Sequence, residues 1–473
     1  MPSVKIKGFG CFKISKGACL LDLLIKKNIS INAACNGQGR CGLCRIRISG
    51  KRKPLSKIER ILIPLSLSKI GYRLACRYRV TNSVSVTIPE IGITKTDVSS
   101  KLGLALDIGT TVIKAAIVDL KKSKVINKIK VYNPQNSLGG DVITRISAAL
   151  DGKYKLLRNH LLSGISDIKK KAGVAKPIYT TIVGNPVMLS FYLNKRVDGL
   201  ARYPFKAEIK KDIFLKNPAR YVFPIIGGFV GGDTIAGIMA SKCLDHKGAS
   251  LYVDLGTNGE VALICKNKII ALSTAAGPAF EGIGISHGSL AIPGAIDHVD
   301  YKDGFKIHTI GNRKPIGICA SGLIELLDIL IELGWLQQNG RLLKGFKLQG
   351  FKITQDDIRK LQLAIGAIHT GIQMLLEKFG IKPIDIAEVI LTGEFGSRLK
   401  LKSLISLGIL PMGIKRLRFE KDLPLKGAIK VLLDHSALKE ARRIEMISHY
   451  LELANQPEFQ NKFVAALRLK PWN

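Results

Sequence analysis

The chain has 473 residues, room for roughly three domain-sized units or for one large α/β fold with an appendage. Lys and Arg number 73 against 36 Asp and Glu, and 46% of residues are hydrophobic, so a sizeable core is available under a basic surface. No 18 uncharged apolar residues run together and residues 1–10 lack an apolar core, so neither a membrane span nor a signal peptide is expected, and the cytoplasm is the expected compartment. Residues 1–100 hold 19 basic and 4 acidic side chains, while the remaining lysines are scattered along the chain. That pattern is either a general basic bias or the face of a carrier that docks an acidic partner. No helix-turn-helix, zinc-finger or RNP motif is present, so nucleic acid is not an expected partner.

Residues 1–90 alternate short β-rich runs, at 44–49 and 83–88, with turn-rich loops, and a helix is expected over 18–27. Cys35, Cys41 and Cys44 lie in one glycine-rich loop and Cys76 follows, a C-x5-C-x2-C-x31-C spacing. Gly37, Gly39 and Gly42 give the loop the backbone freedom to wrap an iron–sulfur cluster and turn N–H groups onto its sulfides. A zinc site is the alternative, but zinc knuckles usually pair two C-x2-C units, and Cys76 stands alone. Cys11, Cys19, Cys243, Cys265 and Cys319 have no ligand spacing and read as ordinary buried thiols.

Residues 91–101 read as a short polar linker. From residue 102 strands and helices alternate, which argues an α/β class. Asp107-Ile108-Gly109-Thr110-Thr111 recurs 147 residues later as Asp254-Leu255-Gly256-Thr257-Asn258, each an apolar strand, an Asp, a Gly-Thr turn and a second apolar strand. One such hairpin is an ordinary turn; two matching copies predict a duplicated fold with a site between its halves. The turn amides and hydroxyls can cradle phosphate oxygens, and the strand-end aspartates can hold Mg²⁺ through water. The alternative role for Asp107 and Asp254 is hairpin capping. No P-loop is present. The helix over 358–376, apolar at Leu361, Leu363, Ala364, Ile368 and Ile372, is expected in the core. The eight histidines show no ligand spacing and receive no role.

The N-terminal loop resembles the vertebrate and bacterial 2Fe–2S ferredoxins, which implies a β-grasp domain over 1–90. The paired hairpins resemble the phosphate motifs of the actin, Hsp70 and sugar-kinase ATPase superfamily. That likeness implies a duplicated ribonuclease-H-like ATPase fold over 102–473 that binds ATP and Mg²⁺. Val389-Ile390-Leu391-Thr392-Gly393-Glu394-Phe395-Gly396 resembles the superfamily's adenosine motif, which places Gly393 and Gly396 beneath the nucleotide. Gly232-Asp233-Thr234 opens a helix where the superfamily has its first connecting helix. Asp233 is therefore either the residue that orients the attacking water or an N-cap.

The fusion of the two parts resembles the reductive activators of corrinoid enzymes, and the likeness runs along nearly the whole chain. It includes the stretches at Asn133-Pro134-Gln135, Gly140-Asp141-Val142, Val183-Gly184-Asn185 and 273–282. It implies one-electron delivery from a 2Fe–2S cluster to a Co(II) corrinoid protein or methyltransferase, coupled to ATP hydrolysis and supplied by a low-potential donor. A homodimer is compatible with it. Asp141 and Glu281 read as structural. Relatives often carry a longer linker and a small middle domain, where about ten residues stand here. The rival readings are an activator of another metalloenzyme such as a dehydratase, a small-molecule kinase fused to a ferredoxin, and a nucleotide-binding redox sensor.

Overall fold

The computed structural model describes residues 1–27, 29, 31, 33, 37–39, 42, 44–50, 54–88, 101–174, 176–274, 276–344, 346–348, 350–393 and 399–472. Cys35, Cys41, Gly396 and most of the expected linker lie outside them.

The N-terminal strands form a five-stranded mixed sheet, ordered Gly10–Lys13, Ser3–Ile6, Val84–Thr87, Arg45–Ser49 and Tyr72–Leu74. The helix Leu20–Lys26 buries Leu20, Leu21, Leu23 and Leu24 in this unit's core with Val4, Ile46, Ile48 and Val86. This is the β-grasp arrangement. The thiols expected to be buried divide: Cys19, Cys243 and Cys319 are buried, Cys265 is half-buried and Cys11 is exposed. Cys11 is exposed because Gly10–Lys13 is an edge strand with little packed on it.

The duplication read from the hairpins extends to whole sheets. In the first half, Leu102–Ile108 pairs antiparallel with Val112–Asp119, which pairs antiparallel with Lys124–Tyr132. On the other side Tyr179–Gly184 runs parallel to Leu102–Ile108, and Ala219–Val222 runs parallel to Tyr179–Gly184. The second half repeats each step. Ala249–Asp254, Glu260–Cys265 and Lys268–Ser273 form the antiparallel meander, with Ile386–Thr392 and then Leu417–Phe419 added in parallel. Both central strands are almost wholly apolar and buried, as strands covered on both faces must be.

The halves meet through the helices Gly232–Ser241 and Leu423–Leu433. These bury Ile235, Ile238, Met239, Leu425 and Val431 in one core with Ala105, Val118, Tyr252 and Ala262 from the two sheets. The helices approach so closely at Gly427 that a Cβ there would lie 2.2 Å from the Ala236 carbonyl oxygen. The long helix Gln355–Phe379 packs on the second sheet through Ile358, Leu361, Ile365, Ile368 and Ile372. Leu363, expected in the core, is 49% exposed, because two residues past Leu361 the helix has turned by about 200° to the solvent face. No helix among the described residues is long and apolar enough to cross a membrane.

Candidate functional site

The two Gly-Thr turns face each other across a cleft of about 620 Å³. Asp107, Gly109, Thr110 and Thr111 line one wall and Asp254, Gly256, Thr257 and Asn258 the other. Asp233 and Gly393 also line it. The structure thus gathers every expected residue of the second unit that it describes. Asp233 is the second residue of its helix rather than its N-cap, a position held by Gly231, and its Oδ1 accepts from Thr234 N at 2.8 Å. Thr111 Oγ1 and Thr257 Oγ1 are 3.0 Å apart, so the hairpins touch at their tips.

The cleft concentrates carboxyl groups. Burial first, and then the neighbouring Asp107, push the Asp233 carboxyl up to about 8. Glu260, not singled out in the sequence, lies fully inside with its carboxyl pushed well up by burial and by Asp233; Asn258 Nδ2 donates to it at 3.0 Å. Acids held this close and this dry raise each other's pKa unless a cation joins them. Among the described residues no three His, Cys, Asp or Glu form a closed ligand set. Mg²⁺ keeps several of its waters and is completed by phosphate oxygens, so it needs few protein carboxylates. The donor set therefore fits Mg-ATP.

The hairpins are held by side chains from other elements. Asn133 Nδ2 donates to Gly109 O and Asn136 Nδ2 to Thr111 O, both at 3.0 Å, and Asn185 Nδ2 donates to Thr110 Oγ1 at 2.9 Å. Arg145 is completely buried and donates to Thr110 O at 2.6 Å, Asn136 Oδ1 at 2.7 Å, and Gln135 Oε1 and Gly139 O at 3.0 Å. Burial lowers its pKa to about 9, against the pull of Asp141 and Glu281. Asp141 itself N-caps the helix that carries Arg145, accepting from Thr144 N at 2.8 Å, which is the structural role expected. Glu281 is in the cleft rather than only in the scaffold, accepting from Thr111 Oγ1 at 2.5 Å and from Thr257 Oγ1 at 2.7 Å.

At one matching position the two halves carry opposite charge. Lys114 stands opposite Asp107 in the first hairpin, and Glu260 stands opposite Asp254 in the second. Both line the cleft. Lys114 Nζ pairs with Asp422 Oδ1 at 3.0 Å. Burial alone would raise the Asp422 carboxyl, but Lys114 and Lys130 outweigh it and hold it well below the usual carboxylate range.

In the N-terminal unit Cys44 and Cys76 are buried with their sulfurs 3.3 Å apart. Gly37, Gly39 and Gly42 adopt φ of 78°, 78° and 66°. A Cβ on Gly39 would lie 2.3 Å from the Arg77 guanidinium, and one on Gly42 would lie 3.2 Å from Leu62 Cβ. The described part of the loop is thus a tight cradle whose left-handed backbone favours glycine, beside two converging thiols, and a thiolate-bound cluster fits it.

Family models match three stretches of the chain. They are a 2Fe-2S iron-sulfur cluster binding domain over residues 6–81, the RACo middle region over 102–246, and the C-terminal domain of RACo, the ASKHA domain, over 248–473. The middle-region model falls on the first of the two repeated sheets. The corrinoid activation enzyme RamQ of Eubacterium limosum is 32% identical across 76% of this chain and 69% of its own length. The Co(II) methylated amine-specific corrinoid protein reductase of Methanosarcina barkeri is 25% identical across 77% of this chain and 76% of its own. The solved structure of a reductive activator for corrinoid, iron-sulfur protein superposes with a TM-score of 0.73 at 25% identity, covering 100% of this chain and 99% of that one.

Proposed function

The chain belongs to the family of reductive activators of corrinoid proteins, and on that premise we propose how its parts carry out ATP-dependent reductive activation. Residues 1–90 are the electron carrier, 91–101 the linker and 102–473 the ATPase. Cys35, Cys41, Cys44 and Cys76 hold one 2Fe–2S cluster, which when bound supplies a single electron. Asp107 and Asp254 hold the Mg²⁺ of Mg-ATP. The turns Gly109-Thr110-Thr111 and Gly256-Thr257-Asn258 take its phosphates, Asp233 orients the attacking water, and Gly393 with Gly396 lies beneath the adenosine. The partner is a corrinoid protein or corrinoid-dependent methyltransferase, reduced from Co(II) to Co(I). A low-potential carrier supplies the cluster.

The observation that carries this reading is the meeting of two equivalent hairpins, with five carboxyls around them, in a chain that also holds converging thiols in a glycine cradle. The energetics call for both parts. Plant-type 2Fe–2S centres lie near −400 mV, and each 100 mV of deficit against a more reducing acceptor costs ~2.3 kcal/mol per electron. Work done by nucleotide on the conformation of the complex offsets such a deficit.

The test is Co(II) loss and Co(I) formation followed by visible spectroscopy, with the cognate corrinoid protein, a low-potential donor and a methyl acceptor as trap. ATP should raise rate and extent. Cys41→Ala should abolish electron transfer and spare hydrolysis, and Asp254→Ala should abolish hydrolysis and leave a reducible cluster that cannot drive the uphill step. No effect of ATP on rate or extent would overturn the proposal in favour of another acceptor. Phosphate found on an added small molecule would favour a kinase.

A further inference from the structure

One short segment reaches both working parts of the molecule. At its start Glu281 ties the two phosphate hairpins together through the Thr111 and Thr257 hydroxyls. Six residues on, His287 is 3% exposed and touches the cluster-bearing unit. Its Nδ1 accepts from the Lys352 N–H at 2.7 Å, which leaves the ring proton on Nε2. Nε2 then donates to Ile61 O at 2.7 Å, at the end of the helix Lys57–Leu62. Phe351 packs edge-on against the ring.

The residues between have little slack. A Cβ on Gly288 would lie 1.9 Å from Gly282 O, so the two ends of the loop lie back to back. The Ser286 N–H and hydroxyl both donate to the buried Asp357 Oδ1, at 2.7 and 3.1 Å, and Lys360 Nζ donates to Gly284 O at 2.7 Å. Ile318 N donates to His287 O, and Ser289 N donates to Ile318 O.

The same ground receives a second contact from the cluster loop. Arg45 Nε donates to Gly42 O, between Cys41 and Cys44, while its Nη1 donates to Ile316 O, both at 2.8 Å. Leu62, the neighbour of Ile61, packs against Gly42.

We infer that His287 is a positioning residue that reports the state of the phosphate cleft to the cluster loop. The inference rests on the Mg-ATP reading of the cleft. Phosphate oxygens and the Glu281 carboxylate want the same two hydroxyls and repel each other. Nucleotide therefore drives Glu281 off the hairpins, the stiff 282–287 segment carries the displacement, and the His287–Ile61 bond weakens. The electron carrier is released from the ATPase body when nucleotide is held, free to meet its acceptor. This gives the coupling two sites and one shared element that both bias.

The experiment uses the full-length, cluster-loaded protein. Hydrogen exchange of the helix Lys57–Leu62 is measured with and without Mg-AMPPNP, whose affinity is measured by calorimetry. Loss of one net hydrogen bond corresponds to about fivefold in an equilibrium, so AMPPNP should speed exchange in this helix by about that factor. His287→Ala should show the faster exchange without nucleotide and gain nothing on adding it. By reciprocity it should bind AMPPNP tighter by about the same factor. His287→Gln keeps an N–H donor and an acceptor and should restore part of both effects, which a purely structural role would not separate from binding. If His287→Ala does not fold, the wild-type comparison and His287→Gln decide. AMPPNP binding to wild type with no change in the helix overturns this inference alone. Failure of AMPPNP to bind overturns the cleft reading and this inference with it.

Discussion

Replacing Arg145 by Met should cost hydrolysis far more than stability. Four acceptors lose their donor: Thr110 O, Asn136 Oδ1, Gln135 Oε1 and Gly139 O. At the low end of the penalty for a buried unsatisfied group, that is about 4 kcal/mol. Against it stands the relief of a buried charge. The guanidinium is held at about 9 instead of 12.5, a burial penalty of roughly 5 kcal/mol at 1.36 kcal/mol per pH unit. The two effects nearly cancel, as often happens when a buried cation becomes an apolar side chain of similar size. The thermal transition should therefore move by no more than about 10 °C. Hydrolysis has no such compensation, because Thr110 lies in a turn proposed to take phosphate and Asn136 donates to Thr111 O beside it. A misplacement of about 1 Å costs on the order of 10²-fold in rate. Arg145→Ala would lose the same donors and open a cavity, so it should fall well below Met in stability. The assays are calorimetry and phosphate release on the same preparations. Near-wild-type hydrolysis by Arg145→Met would refute the bracing role, and outright unfolding would refute the balance.

Anaerobically purified protein should contain two irons and two sulfides per chain, and Cys76→Ala should lose the colour while hydrolysis persists; stoichiometric zinc without sulfide would replace the cluster by a zinc site. Asp233 carries a pH signature. Its folded pKa of about 8 lies above the usual carboxyl value, so the stability it contributes is fully present below about pH 4 and is lost as pH rises to about 8. The metal-free protein should thus lose stability between those limits, and Asp233→Asn should flatten that slope in urea titrations followed at several pH values. Asp107→Ala should lower Mg-dependent hydrolysis by ~10²-fold or more and leave the cluster spectrum unchanged.

Much of this site is legible because its signals are local. A Gly-Thr turn after an apolar strand, twice over, needs no partner to be recognised, and the cysteine spacing sits in one loop and one later turn. What escapes is what tertiary packing brings in. Arg145 shows in the sequence only as one cation in the apolar helix Val142–Ala148, and its four acceptors come from three other turns. Glu260 opens an apolar strand, a place where a charge is costly unless used, and that was the signal for it. Glu281 lies 170 residues from Thr111, and His287 lies 226 from Ile61, so no pattern in either neighbourhood announces the contact. Leu363 and Cys11 fail for the opposite reason. An apolar residue type says nothing of which side of a helix turns outward, or which strand ends a sheet.

Duplication alone yields a cavity with approximate twofold symmetry, and such a cavity would accept an elongated ligand head-first or tail-first. The exchange of Lys114 for Glu260 at one register position removes that freedom. One wall offers a cation moored to Asp422 and the other an acid, so a molecule with a charged end and an uncharged end has a single direction in which to lie. Opposite charges at one pair of matching register positions thus make the container directional.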